Sequence, residues 1–395
     1  MITVWPHLSA APHRLFFFAG SVQAILTILV WLVLLAGRMT GFAPNLPLPA
    51  GWLHAGLLLF GTFPFFVTGF TLTAVPNWLG ERGVARGEYL PAFALMAMGA
   101  WLIYPALWLG TFPLMFALLL HGSGWAMATR AALRLINRSR HPGKRHFYMA
   151  IAVIVCGLLA ELLFVLNLYL QDPALNAVAR SAALWLFLVP TFFSISHRVI
   201  PAFTRMAVKD APLYQPLWML PVMTLACLGH FLLEVAGLFA WLWLADVPLL
   251  GVTLLLMVRW QSLIHVRHPL VGIHHLSFAW LAVALLLTIA QSFGISFGLA
   301  PLHALVSGYF GSMLLGMASR VVIAHSGQPI VFPAGLRAVF LLYQLAPLLR
   351  IAADLPDLDG TAAHAFYVTA ALVWMVCWAA WIRFMAPLLL RPAVP

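Results

Sequence analysis

The sequence predicts an all-α fold, a polytopic membrane bundle of twelve transmembrane helices with both termini in the cytoplasm. Three observations carry this. Charged residues are 8% and hydrophobic residues 64% of the 395, and the mean hydropathy is +0.99; soluble domains carry about a quarter charged residues, so a soluble globule is excluded. The apolar residues come in runs of about 20, the length at which one helix crosses the hydrocarbon core. Lys and Arg then fall almost entirely on one side of the resulting topology.

Taken in order, the spans lie near 15–37, 51–79, 90–109, 112–136, 147–170, 178–200, 214–240, 247–264, 270–292, 300–324, 332–351 and 362–388. The first run is too long for a signal-peptide core and lacks a small-residue cleavage site, so it reads as a retained span. Pro44, Pro47 and Pro49 break the chain before the second span, and a charged turn from Gly80 to Gly87 follows it. Asp172-Pro173 closes the fifth, and Asp354, Asp357 and Asp359-Gly360 separate the last two. Arg38, Arg180 and Arg350 lie on one side, and the remaining 18 of the 21 Lys and Arg on the other. The positive-inside rule makes the richer side cytoplasmic. Acidic loop residues Asp172, Asp246, Asp354, Asp357 and Asp359 fall on the opposite face. The net charge of +11 is parcelled into short loops, which gives nucleic acid no basic domain to bind. Residues 1–395 read as a single transmembrane domain in contact with membrane lipids. Cys156, Cys227 and Cys377 stand alone in apolar runs and read as packing residues.

Fifteen histidines are spread through this background. Imidazole can enter a bilayer neutral and still bind a metal, although a buried His bonded to a carbonyl needs no metal. His54 and His303 each lie about 5 Å inside the outer ends of the second and tenth spans. Matched depth is what bis-histidine ligation of a b-type haem requires. His121 and His230, in the outer halves of spans four and seven, are candidates for a second metal site, and His197, His274, His275 and His325 form a cytoplasmic layer. His7, His13, His141, His146, His265 and His268 read as surface residues, with His364 at the start of span twelve. Glu161 and Glu234 sit mid-span, either as proton-relay groups or as partners of a buried cation. Glu234 follows His230 by four residues, so the two share a helix face and can hydrogen-bond. Gly61, Gly69, Gly308, Gly311 and Gly316 allow close approach of helices or of a flat ligand. Arg198 and Arg320, near cytoplasmic helix ends, can snorkel, bind lipid phosphate or clamp a haem propionate.

Trp52-Leu53-His54-Ala55, running into Gly69-Phe70-Thr71-Leu72-Thr73-Ala74-Val75-Pro76-Asn77-Trp78, closely resembles the signature region of the NnrS family. So do His197-Arg198-Val199-Ile200-Pro201-Ala202-Phe203-Thr204-Arg205, His275-Leu276 before Ala279-Trp280-Leu281, and His303-Ala304-Leu305 through Gly316-Met317 and Arg320-Val321 to His325-Ser326-Gly327-Gln328-Pro329. The resemblance implies a haem b-binding protein of the bacterial inner membrane, linked to nitric oxide and nitrosative stress. Electron transfer, nitric oxide binding or haem handling would be its task, with a quinone or cytochrome as redox partner. It makes His54, His275, His303 and His325 the metal-ligand candidates. Where the family typically reads His-Ala-His-Glu-Met, this chain has His54-Ala55-Gly56-Leu57-Leu58; the lost imidazole and carboxylate argue against copper. A fainter resemblance is to the large subunit of haem-copper oxidases, whose low-spin haem is held by histidines on helices two and ten. Pro301 stands where their tenth helix carries its first His, which argues against a terminal oxidase. The competing readings are a proton-coupled transporter without a redox cofactor and a regulatory or assembly factor.

Overall fold

The computed structural model describes residues 4–41, 44–356 and 358–392; Asp357, one of the expected loop acids, lies outside them. Among the described residues the regular structure is helical throughout. Twelve principal helices follow in chain order: α1 (Pro12–Thr40), α2 (Ala50–Leu79), α3 (Arg86–Leu109), α4 (Thr111–Arg138), α5 (Arg145–Leu170), α6 (Pro173–Ala207), α7 (Met219–Val235), α8 (Phe239–Arg259), α9 (Gly272–Ser292), α10 (Ala300–Ala324), α11 (Ala334–Ala353) and α12 (Gly360–Leu389). Eleven are long and apolar enough to cross a membrane, and α7, at 17 residues, is the short one. Each corresponds to one expected span.

The boundaries moved by five residues or more at both ends of the sixth, seventh and eighth spans. Gly237 takes φ +71°, which ends α7 five residues before the expected limit. The apolar run from Phe239 then starts α8 early, so Asp246, expected in a loop, is fully buried inside a helix.

The chain packs as two compact units. The first comprises residues up to Phe187, Val321–Pro329 and the segment from Ile382 onward. Its tightest pair is α3 with α4, joined through Gly110 alone. That residue takes φ +107°, a conformation open to glycine and strained for other residues. Gly99 packs against the backbone of Ala117 and His121, and Gly124 against the backbone of Ala92 and Met96. Two helices already in lipid gain little from apolar burial as such, so close backbone approach and dispersion carry the contact. The opposite faces leave Trp101, Trp108, Phe112 and Phe116 exposed, as a lipid-facing surface would. Gly20 of α1 and Gly69 of α2 make room for Phe66 and Phe16, so Gly69 serves packing. The buried Arg14 guanidinium donates to the carbonyls of His7, Leu389 and Arg391, tying the start of α1 to the end of α12. α2 is interrupted at Phe60–Thr62, just before Pro64, which has no N–H to continue the ladder.

The second unit comprises Leu188–Arg320 and Ile330–Trp381. Its α10 turns π-helical over Ala304–Gly311, as α6 does over Ala182–Leu188. Gly308 lies against the Trp280 indole and Gly311 against the Tyr343 hydroxyl. Tyr343 donates to the Ser307 carbonyl, and the Gln344 side chain accepts from Trp280 and bonds Ser312. These polar bonds fix α9, α10 and α11 around a core with little free backbone.

Candidate functional site

In the first unit, His54 occupies the first turns of α2, and its ring stacks on Trp31 at 4.3 Å and 23°. Arg38 lies over the other ring contact of that stack, 5.3 Å from the Trp31 centroid. Arg38 also lines a cavity of about 610 Å³ beside Pro47 and Gln171. His325, expected in a cytoplasmic layer, points Nδ1 at the Val321 carbonyl at 2.9 Å and lies 4.9 Å from the ring of His13. His13 is buried rather than a surface residue. Deeper in α4, His121 Nδ1 lies 2.8 Å from Glu161 Oε1 of α5, and both side chains are buried. Nε2 of His121 and Oε2 of Glu161 have no hydrogen-bond partner among the described residues. Glu161 is thus the partner of an imidazole.

In the second unit, His303 sits in the first turn of α10, and its Nδ1 lies 2.9 Å from the Leu299 carbonyl and 3.2 Å from the Asp354 carboxylate. Its Nε2 is 2.9 Å from Arg350, whose guanidinium lies 4.3 Å over the Tyr367 ring and 3.5 Å from Asp354. A guanidinium can only donate, and Arg350 Nη2 reaches both ring nitrogens of His303, at 2.9 Å from Nε2 and 3.2 Å from Nδ1. At the end of α11, burial raises the Asp354 carboxyl, but the His303 hydrogen bond and the Arg350 charge outweigh it and hold the group below the usual carboxylate range.

His275 bonds hydroxyls with both ring nitrogens, Thr204 through Nε2 and Ser262 through Nδ1, each at 2.9 Å. A metal on His275 would have to displace one of them. His265 packs beside it at 5.7 Å, and burial, then the charge of His268, lower its pKa. His274 and Arg320 flank Phe203, with the guanidinium 4.5 Å from the ring centroid. Arg320 is 2% exposed, so it does not snorkel to water, and its Nη1 has no hydrogen-bond partner among the described residues. Arg198 is half-buried, with its carbonyl bonded to Gln215, and His197 is buried nearby on α6. His230 is held by Asp246, at 2.6 Å from Nδ1, with Glu234 3.9 Å from Nε2. The expected His230 and Glu234 pair is therefore the looser half of a triad.

Sequence reasoning missed Asp246, Arg350, Tyr367, Trp31 and His13 as neighbours of its candidates. A signal existed for two pairings. His121 is ten residues into α4 and Glu161 nine from the end of α5, so antiparallel neighbours meet at one level; the same depth argument joins His230 to Asp246. Among the described residues, no group of three or more His, Cys, Asp and Glu is arranged to hold a metal ion.

Fold and sites together define a polytopic α-helical membrane protein with imidazoles and carboxylates paired inside its spans. Its fold is similar to that of a chain of a haem-copper terminal oxidase dimer solved by cryo-EM, with a TM-score of 0.65 over 99% of this chain and 84% of that chain, at 11% identity. The model of the NnrS protein family matches residues 7–393, and the chain belongs to the NnrS family. No curated protein matches it. Both resemblances read from the sequence are borne out.

Proposed function

We propose that this is a haem b-binding protein of the bacterial inner membrane, serving the nitric oxide and nitrosative-stress response, with His54 and His303, each near the periplasmic end of its own helix, as the haem-iron ligands to test. The observation that carries the reading is the posture of His303. Its Nδ1 lies 2.9 Å from the Leu299 carbonyl and 3.2 Å from the Asp354 carboxylate, the kind of surroundings that orient metal-ligating imidazoles, while Nε2 lies 2.9 Å from a cation. These residues fit the group: Arg350, 2.9 Å from Nε2, is placed to exchange that bond for a carboxylate of the cofactor. When bound, haem would supply one-electron redox chemistry. The Leu299 carbonyl and Asp354 would orient the His303 ring, and the Trp31 stack would fix the plane of the His54 ring. Each His lies within the first turns of its own helix, three residues past Ala300 and four past Ala50, about 4.5 and 6 Å along the axis. Membership of the NnrS family and the oxidase-like fold support the reading. Its partners would be a quinone or cytochrome and nitric oxide itself.

The experiment is an absorption spectrum of protein purified from haem-replete cells. A Soret band and a sharp reduced α-band are expected, with His54→Ala and His303→Ala each giving a high-spin spectrum or losing haem, and His7→Ala and His141→Ala changing nothing. If both single variants keep an unaltered bis-histidine spectrum, the assignment is wrong, and His275 and His325 become the ligands to test. Colourless protein favours a proton-coupled transporter, a reading that the buried carboxylate and imidazole pairs also suit.

A further inference from the structure

We propose that Glu234, His230 and Asp246 form an intramembrane proton-transfer site, passing protons between the edge of α7 and the buried interior of the second unit. The proposal does not rest on the haem reading. Its basis is a gradient of exposure along three groups that can each carry a proton. The Glu234 side chain is 19% exposed, that of His230 4% and that of Asp246 1%. His230 Nδ1 is 2.6 Å from Asp246 Oδ1, a short charge-assisted bond. Glu234 Oε2 stands 3.9 Å from His230 Nε2, a gap that a carboxyl rotation or one bridging water closes.

Asp246 Oδ2 is buried without a hydrogen-bond partner among the described residues, which leaves a second oxygen from which a proton can be passed on. Beyond it, Cys227, one turn before His230 on α7, lies within electrostatic range of both Asp246 and Tyr309. The Tyr309 hydroxyl is 3.1 Å from Ser196 Oγ, inside the unit. His230 and Glu234 act electrostatically on Asp246; α6, packed against α7, carries His197, Arg198 and Arg205. α9, also packed against α8, has titratable side chains only in its first turn, at His274 and His275.

The transfer balances. A proton leaves Glu234 for Nε2 of His230, and the proton on Nδ1 passes to Oδ1 of Asp246. Glu234 ends as carboxylate, Asp246 as neutral acid and the imidazole neutral, with its proton on Nε2. Rotation of the Asp246 carboxyl then presents the proton from Oδ2, and rotation of the imidazole resets the site.

Infrared difference spectroscopy of the full chain in lipid nanodiscs tests this, because it reads the carboxylic-acid carbonyl stretch without any cofactor. The wild-type protein should show a buried acid band that titrates with pH and shifts promptly on mixing with D₂O. Asp246→Asn should remove that band. Glu234→Gln and His230→Gln should retain it but slow the D₂O shift about a hundredfold, the lower end of what a positioned acid or base contributes. Glu234→Gln decides alone if the other variants misfold, because its site is at the edge of the helix. Exchange at the wild-type rate in Glu234→Gln overturns the proposal, as does an acid band that survives Asp246→Asn.

Discussion

The His121 and Glu161 pair makes a sharp test of how this protein is held together. Replacing His121 by Leu strands a carboxylate in the bundle, and replacing Glu161 by Leu strands an imidazole. Each orphaned group costs about 1–3 kcal/mol in a protein interior, and about 2 kcal/mol is expected here. Lipid cannot hydrogen-bond the group in the unfolded reference state either, which keeps the figure from rising further. The double variant His121→Leu with Glu161→Leu removes both polar groups. A buried ion pair replaced by apolar side chains of similar volume is often neutral or stabilising. The double variant should therefore be more stable than either single. Unfolding in increasing detergent mole fraction, followed by the fluorescence of tryptophans such as the buried Trp125 of α4, gives the three free energies. A double variant that loses the sum, about 4 kcal/mol, would refute the reasoning.

Other expectations follow from the geometry. Gly308→Ala places a Cβ 2.7 Å from the Trp280 indole and should cost about 1–3 kcal/mol as overpacking, whereas Gly251→Ala, with nothing within 4 Å, should be neutral or stabilising in the same unfolding assay. Asp354, whose pKa is depressed in the folded state, contributes stability that is present above its unfolded value near 4 and lost as pH falls through the folded one. Thermal melts between pH 7 and pH 3 should accordingly fall less steeply for Asp354→Asn than for the wild-type chain, and parallel slopes would remove that role. Reporter fusions after Arg140 should read cytoplasmic and after Asp172 periplasmic; the same side for both would break the twelve-span topology.

Helix count and order were legible because hydrocarbon thickness fixes the length of each run and the prolines punctuate them. Ends were less so: the sequence around Gly237 is apolar on both sides, and only a left-handed backbone there separates α7 from α8. That shift carried Asp246 from an expected loop into the core. The candidate imidazoles were visible as polar residues in apolar runs, but their partners depend on which helices touch. Depth matching was applied to His54 and His303 alone, although it also joins His121 to Glu161. Arg350 stood at the outer end of the eleventh expected span, where positive charge is ordinarily solvated; nothing in the chain announces that it packs against His303.

The π-helical stretch Ala304–Gly311 gives α10 a property that a plain helix lacks. Each such widening accommodates an additional residue in the turn, so the segment below it is angularly offset from the segment above by about 100° relative to a continuous α-helix. His303 lies above the offset and Arg320 below it. Deleting one residue within the stretch would leave a good α-helix yet turn the guanidinium to a different neighbour, while point substitutions there would leave its azimuth unchanged. The widened turn thus acts as the splice that sets which way the lower half of α10 faces.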